Sequence, residues 1–310
     1  MLMHVIWLNY GIPSVLLILF FLKFLNRPEK EFKYSFYRIL QCDMILNVIC
    51  YLNTWVYRLC YTDVFHETMI RVLENFPVVF GFSAFFGYFF YNAQALSVIT
   101  MSLHRLWSAR STTGNEFWNR NYLRAYGLIL VISTGLSVPI YFGEFFLPFV
   151  YNNETREFVP GEPVEPKRSI FLMFFLFQCI FYFLIIFVIN IWTICSVRKH
   201  FQTNNKSTDP KTRTMMRNLT TIVFINTFVF FCVILWQLFG NIIIRGVSGQ
   251  VQNIIVMAMS DVLSLSLPYI LIIFDRNVRS TIVKMLDDKK LSVKVESIAP
   301  GATRSTSRPT

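Results

Sequence analysis

Apolar residues along this chain are concentrated in seven long stretches, each containing at most two charged residues. A helix needs roughly 20 residues to cross about 30 Å of hydrocarbon, because each residue adds only about 1.5 Å and the backbone polar groups must be satisfied within the segment. All seven stretches reach that length and are predicted to be transmembrane helices. They span residues 5–25, 37–57, 78–103, 125–147, 169–197, 219–244 and 251–274. The pattern therefore predicts an all-α fold, a seven-helix membrane bundle over residues 1–274.

Composition supports a membrane protein. Hydrophobic residues make up 54% of the 310 residues and charged residues only 15%, and the mean hydropathy is +0.48. A soluble domain of this length would dilute its apolar residues with a charged surface. The seven stretches and their connections use nearly the whole chain, so no soluble domain of useful size is expected.

Lys and Arg alternate between abundant and scarce in successive loops. Of the 29 such residues, 23 lie in or beside the first, third and fifth loops and in the C-terminal tail, and 6 lie in the other loops. Positive loops are retained in the cytoplasm, so the N-terminus is predicted to be outside and the tail inside. The net charge of +11 is explained by basic loops that are attracted to the anionic lipid of the inner leaflet, and nucleic acid is not expected as a partner. The first stretch is interpreted as a retained helix rather than a cleaved signal peptide, because basic residues follow it and do not precede it.

Two outer loops carry local signals. In the second loop Phe65, Met69, Leu73 and Phe76 recur at helical spacing, which indicates a short interfacial helix in simple membrane contact or a lid over the outer mouth. The fourth loop contains Asn153 within an Asn-Glu-Thr triplet, an acceptor for N-glycosylation on the side that the charge pattern makes lumenal.

Patterns typical of enzymes are missing from the sequence. The motifs of zinc, nucleotide and hydrolase sites do not occur, so no catalytic constellation, cofactor or metal site is expected. Of the six cysteines only Cys60 is predicted near the outer surface, so a disulfide within the outer loops is not expected. The chain is therefore not expected to be an enzyme.

Three carboxyl groups are predicted at membrane depth: Asp43, Glu144 and Asp261. Burying a charge there is costly, so each is expected to be protonated, paired or facing water inside the bundle. Asn47 and Ser264 lie one helical turn beyond Asp43 and Asp261, so each carboxyl is expected to join an inward polar cluster. Either hydrogen bonding between helices or an ion or proton linked to a switch would explain these clusters. Glu144 is placed near the outer interface.

A family resemblance rests on three features. The first is the order of the seven stretches, and the second is the run from Ser102 to Trp107, which contains Leu-His-Arg and is followed by a loop with Phe-Trp. The third is Leu-Pro-Tyr at 267–269, followed by Asp-Arg-Asn-Val-Arg at 275–279. In these respects the chain resembles nematode serpentine chemoreceptors of class gamma, which are seven-helix receptors similar to the rhodopsin-like class. The chain departs from the rhodopsin-like pattern in having His104 before Arg105, no cysteine over residues 61–178, and Leu267 before Pro268.

The resemblance implies a receptor that binds an external odorant or pheromone and activates a heterotrimeric G protein from the plasma membrane, with the cilia of sensory neurons as a candidate location. Arg105 would offer donors to the docked partner, although an arginine there also anchors a helix by snorkelling. Residues assigned to the switch and to coupling are His104, Arg105, Asp43, Asn47, Asp261, Pro268 and Tyr269. A seven-span transporter or ligand-gated channel is the alternative, and an opsin is disfavoured because residues 251–274 contain no lysine.

The ligand is expected between the helices near the outer mouth, where an apolar cavity can open to the exterior. Aromatic rings there would supply contact area and glutamines would orient a polar group, although for any single Phe a lipid-facing or packing role is the competing interpretation. The candidate residues are Phe82, Phe85, Phe86, Phe174, Phe175, Gln178, Trp236, Gln237 and Met257.

Residues 275–290 are predicted to form an amphipathic helix on the inner leaflet, because Val278, Ile282, Met285 and Leu286 share one helical stripe and basic residues flank it. Residues 291–310 are rich in Ser, Thr and Pro and are predicted to be a disordered tail. Its candidate phosphorylation sites are Ser292, Ser297, Ser305 and Ser307.

Overall fold

The computed structural model describes residues 2–27, 30–62, 64–111, 113–145, 147–154, 156–161, 163–203, 210–243, 249–285 and 287. Predictions about Thr155, Ile244, Leu286 and the tail serines lie outside these residues, as does the prediction about the side chain of Gln237.

The described chain is almost entirely helical. Its helices in order are α1 Leu2–Phe24, α2 Ser35–Cys60, α3 His66–Asn75, α4 Val78–Arg110, α5 Gly114–Phe142, α6 Lys167–Thr203, α7 Pro210–Ile243, α8 Gly249–Leu265, α9 Leu267–Phe274 and α10 over residues 276–285. A short 3₁₀ helix, Lys30–Lys33, precedes α2, and two strands, β1 Phe149–Asn152 and β2 Glu157–Pro160, lie between α5 and α6. The all-α prediction is confirmed, with this hairpin as the addition.

Each predicted stretch coincides with helical structure. Among the described residues, α1, α2, α5 and α6 are long and apolar enough to cross a membrane individually. Two further candidates are bent pairs, α3 with α4 at 98° and α8 with α9 at 46°, and α7 contributes the apolar segment Thr220–Trp236. The molecule is thus a helical membrane bundle, and the crossing of the bilayer by all seven stretches stays a prediction.

The largest boundary differences surround α5. The predicted fourth stretch began at residue 125, but α5 begins at Gly114 because Phe117 stacks on Trp107 at 4.5 Å and pairs the two helix ends. At its other end α5 stops at Phe142, and Glu144 adopts a left-handed backbone with φ 58°. Glu144 is therefore not at helix depth: it is exposed and pairs with Lys167 at 2.9 Å. This hydrogen bond to the Lys167 ammonium lowers the pKa of the Glu144 carboxyl.

Helix α4 is the central element of the bundle, packing against α2, α5, α6 and α7. Its buried small residues, including Ala84, Ala93 and Ala95, let neighbouring helices approach closely, as helix pairs in membranes require. Around it lies one continuous core with Phe36 and Met44 among its members.

A small cap covers one end of the bundle, which we call the outer end in keeping with the predicted orientation. Met69 of α3 packs in one apolar cluster with Phe80 of α4 and Phe158 of β2, and the Phe80 and Phe158 rings stack at 6.0 Å. Of the residues that predicted the helix, Phe65 and Phe76 are exposed. Strands β1 and β2 pair antiparallel, with Asn152 opposite Glu157, and Asn153 is exposed in their turn.

The seventh stretch is broken at Ser266, and Pro268 occupies the first turn of α9, where its missing N–H costs no helical hydrogen bond. Helix α10 then turns an apolar face inward: Val278 is buried in the core, with Ile282 and Met285 packed beside it. Its basic residues Arg279 and Lys284 are exposed. A helix with an apolar and a basic face is therefore present over residues 276–285. Residues 286 and 288–290 of the predicted range lie outside the described residues, and the position of the helix on the inner leaflet stays a prediction.

Candidate functional site

A chain of buried polar side chains links four helices in the middle of the bundle. Asn47 donates to Asp43 at 2.9 Å within α2, and Ser97 of α4 donates to the other oxygen of Asp43 at 2.5 Å. The Ser97 hydroxyl also lies 2.7 Å from that of Tyr126 of α5. Asp43 and Asn47 thus meet as the spacing predicted.

The same network continues to α8 through Gln94 of α4. Its amide donates to Asn47 at 2.8 Å and to the Ser264 hydroxyl at 2.9 Å. Ser264 therefore binds α4 and does not pair with Asp261, the carboxyl one turn before it. Because these groups satisfy one another, a relative shift of α2, α4 or α8 breaks several hydrogen bonds together.

Asp261 instead forms a buried ion pair with Arg58, whose guanidinium Nη2 donates to the carboxylate. The hydroxyl of Tyr10 donates to the second carboxylate oxygen, so α1, α2 and α8 are joined at one point. Arg58 had been assigned by the charge pattern to an outer loop. The structure corrects this assignment, since Arg58 is wholly buried in the last turn of α2.

Aromatic rings surround the Arg58 guanidinium. Its carbon lies 5.2 Å from the Trp7 ring centroid, 5.0 Å from Tyr51 and 5.4 Å from Trp55. Such cation–π contacts are strengthened where water is excluded. The sequence carried no local signal for this site, because Arg58 and Asp261 are 203 residues apart in the chain.

A second polar cluster joins α4 to α6 in the outer half of the bundle. Tyr88 donates to Gln178 at 2.5 Å, and the Gln178 amide donates to Asn92 at 2.5 Å. Tyr182 also donates to Asn92, at 2.8 Å. Gln178, predicted to orient a ligand, is thus buried and bonded to α4, while the three partners were not foreseen.

The other predicted ligand residues divide into two groups. Phe85 and Phe175 are partly buried against the core, and Phe175 lies 5.1 Å from the Tyr91 ring. Met257 is buried and Trp236 partly buried on other helices. In contrast, Phe82, Phe86 and Phe174 are exposed by 59%, 38% and 38%, and the structure does not bring these three together with Gln178.

At the opposite, inner end of the bundle, His104 and Arg105 of α4 are both buried. His104 Nε2 lies 2.7 Å from the hydroxyl of Ser35, which donates to Asn115 of α5 at 2.8 Å. The guanidinium carbon of Arg105 lies over Phe36, 3.6 Å from the ring centroid. Among the described residues its Nε and Nη2 have no hydrogen-bond partner.

Asp275 closes this inner end. Its carboxylate accepts from Tyr37 at 2.8 Å and from the backbone N–H of Asn277 at 2.9 Å, so it caps α10 while holding it to α2. Burial raises the pKa of the Asp275 carboxyl, and the hydrogen bond from Tyr37 opposes that shift.

The two remaining predicted switch residues lie where α9 begins. Pro268 is buried at the break, and the Tyr269 hydroxyl lies 2.9 Å from that of Ser14 in α1. Across the described ranges no group of three His, Cys, Asp or Glu side chains is placed to hold a metal ion.

An apolar helical bundle whose helices are joined by buried polar groups is typical of an integral membrane protein. The Srg family chemoreceptor model matches residues 4–282, and the chain belongs to this family. Over 279 residues it is 32% identical to serpentine receptor class gamma-53 of Caenorhabditis elegans, covering 89% of this chain and 90% of that protein. It is 29% identical over 287 residues to serpentine receptor class gamma-47 of the same organism, covering 89% and 88%. The predicted resemblance to class gamma is confirmed, and the chain is a multi-pass chemosensory serpentine receptor.

Proposed function

We propose that this receptor binds an external small molecule between its helices and activates a heterotrimeric G protein at its inner end. The observation that carries the proposal is the enclosure of Arg105 at the end of α4. Its guanidinium is buried over Phe36, and two of its nitrogens have no partner in the described structure.

An enclosed arginine with unmet donors suits a resting arrangement. A partner that supplies carbonyl or carboxylate acceptors has a higher affinity for an arrangement in which Arg105 is released than for this enclosed arrangement. This difference in affinity shifts the conformational equilibrium toward release. The Tyr37–Asp275 hydrogen bond holds α10 against α2 beside this arginine, so its separation is the expected first step of release.

In the outer half of the bundle, the ligand is proposed to act on the polar cluster between α4 and α6. Tyr88, Asn92, Gln178 and Tyr182 join α4 to α6 by hydrogen bonds, with the aromatic Phe175 beside them. A ligand whose polar group replaces one of these side chains in a hydrogen bond would move α6 relative to α4. Because α4 also carries Arg105, the same helix connects the ligand region to the coupling region.

The test is expression of the full chain with a calcium or cyclic-nucleotide reporter and a panel of odorant and pheromone molecules. We expect a saturable response that Arg105→Ala abolishes without loss of surface expression. Arg110→Ala is the matched control, because Arg110 lies in the last turn of the same helix and is exposed. It is expected to keep most of the response.

A ligand response that persists in Arg105→Ala and under G-protein blockade would contradict the coupling mechanism. If that response is an ionic current, the ligand-gated channel becomes the better interpretation. The plasma membrane and sensory cilia are the expected location, and a tagged chain imaged in sensory neurons tests it.

A further inference from the structure

Three polar groups near the outer end of α2 have no hydrogen-bond partner among the described residues. They are Nε and Nη1 of Arg58 and the hydroxyl of Tyr51, and both side chains are at least 97% buried, with exposures of 0% and 3%. Buried donors without partners are rare in native proteins because each loses its water without replacement. A cluster of three such groups indicates a place where an acceptor is supplied from outside the chain.

The charge at this place is already balanced. Nη2 of Arg58 is paired with Asp261, and Tyr10 donates to the same carboxylate. An incoming carboxylate would therefore be a second, uncompensated negative charge beside Asp261, at a high desolvation cost. A neutral acceptor, such as a carbonyl oxygen, satisfies the free donors without that cost.

The walls of the cluster are aromatic. Trp7, Tyr51 and Trp55 place their rings 5.0–5.4 Å from the guanidinium carbon. The Tyr51 hydroxyl reaches this place only because α1 has a glycine opposite it: a Cβ on Gly11 would lie 1.8 Å from that oxygen. Aromatic walls with few polar groups are typical of sites for mainly apolar small molecules.

We propose that the Arg58 cluster, formed by Trp7, Tyr10, Tyr51, Trp55, Arg58 and Asp261, binds the carbonyl group of a neutral, mainly apolar molecule such as a ketone or an ester. This inference rests on the proposed function for its physiological meaning, and it adds to the α4–α6 ligand region a separate binding site, on α1, α2 and α8, for a carbonyl compound. Arg58 and Tyr51 donate to the carbonyl oxygen, and the indole rings contact the hydrocarbon.

The experiment measures binding without signalling. The full chain in lipid nanodiscs is heated with methyl heptyl ketone, methyl nonanoate, nonanoate or nonane, and the unfolding temperature is recorded. We expect stabilisation by the ketone and the ester only. Tyr51→Phe keeps the ring and removes one donor, and should weaken ketone binding about three- to tenfold, the usual range for one neutral hydrogen bond.

Tyr122→Phe is the matched control. It removes a phenol hydroxyl from a partly buried side chain of α5, a helix that contributes no residue to the Arg58 cluster or to the α4–α6 ligand region, and should leave ketone binding unchanged. Equal stabilisation by nonane, tighter binding of nonanoate, stabilisation by none of the four compounds, or unchanged ketone affinity in Tyr51→Phe would each overturn the site.

The outcome separates this site from the proposed function. Ketone binding that depends on Tyr51, with no reporter response in cells, would contradict the receptor mechanism and support the site. A G-protein response to ketones that is undiminished in Tyr51→Phe would support the mechanism and overturn the site.

Discussion

Ser97 of α4 donates a 2.5 Å hydrogen bond to Asp43 of α2, and both residues are buried. Because the same hydroxyl meets Tyr126, this one small side chain joins three helices. Its neighbour Ser102, one and a half turns along the same helix, is equally buried, and its hydroxyl has no partner among the described residues. The pair offers a matched test of what the network contributes.

Ser97→Ala is expected to lower the free energy of unfolding by about 1–3 kcal/mol, because it leaves a buried carboxyl short of a donor. Ser102→Ala removes an unpartnered hydroxyl and should be neutral or stabilising. Thermal unfolding of both variants in nanodiscs checks this, and equal losses would contradict a special role for the Ser97 bond.

Asp261→Ala should cost about 3–5 kcal/mol, since it leaves Arg58 as an unpaired buried charge. Replacing both partners, as Arg58→Met with Asp261→Leu, should recover most of that loss because no isolated charge remains. Unfolding temperatures of the single and double variants measure the difference. If the double variant is as unstable as Asp261→Ala, the ion pair stabilises the fold by more than the neutralisation of the Arg58 charge.

Phe174 and Phe175 are adjacent on α6 but have different surroundings. Phe175→Ala should destabilise the protein, by less than the roughly 3–5 kcal/mol of a fully buried Phe→Ala, and should weaken the reporter response. Phe174→Ala, which trims a more exposed ring, should change both little. Dose–response curves with surface-expression controls check this, and a larger effect at Phe174 would argue against the α4–α6 ligand region.

Asp275 should make stability depend on pH. Burial raises the pKa of its carboxyl in the folded protein, so folding favours the protonated form. Stability from this group should therefore fall as pH rises above the ordinary Asp value of about 4, and should level off beyond the raised folded pKa. Asp275→Asn cannot titrate and should flatten this part of the profile.

Glu144→Gln is the control for that profile. Its pKa is shifted in the opposite direction by Lys167, but the carboxyl is fully exposed, so its contribution should be negligible. Identical profiles for the parent chain and Asp275→Asn would contradict the assignment.

Asn153 is exposed in the turn between β1 and β2, where a glycan can be attached without disturbing packing. We expect a glycosidase to increase the gel mobility of the parent chain and to leave Asn153→Gln unchanged. Asn152→Gln, one residue away in β1, should keep the shift. A parent chain without a glycan would also remove support for the predicted orientation.

Helical periodicity was sufficient to predict the elements and one of the site contacts. Asp43 and Asn47 are four residues apart on one helix, so their meeting follows from geometry alone. The position of Gln178 in the outer half of α6 was predicted in the same way, but Tyr88, Asn92 and Tyr182, its partners, were not. Such contacts depend on how two helices are rotated relative to each other, and a single sequence does not specify that rotation.

Charge counting was least informative for residues near helix ends. Arg58 was grouped with exposed outer charges, yet its side chain turns into the bundle toward Asp261. Arg105 similarly lies within α4 and is buried. The hairpin was also not predicted, because its two strands are only four residues each and their pairing is stabilised by contacts with α3 that are distant in the chain.

The cap formed by α3 and the hairpin contains no disulfide, since all six cysteines are free thiols. Its assembly therefore does not wait for an oxidant or a disulfide isomerase, and reducing agents that open crosslinked secreted domains should leave it intact. A production host therefore does not need to form a disulfide in this cap.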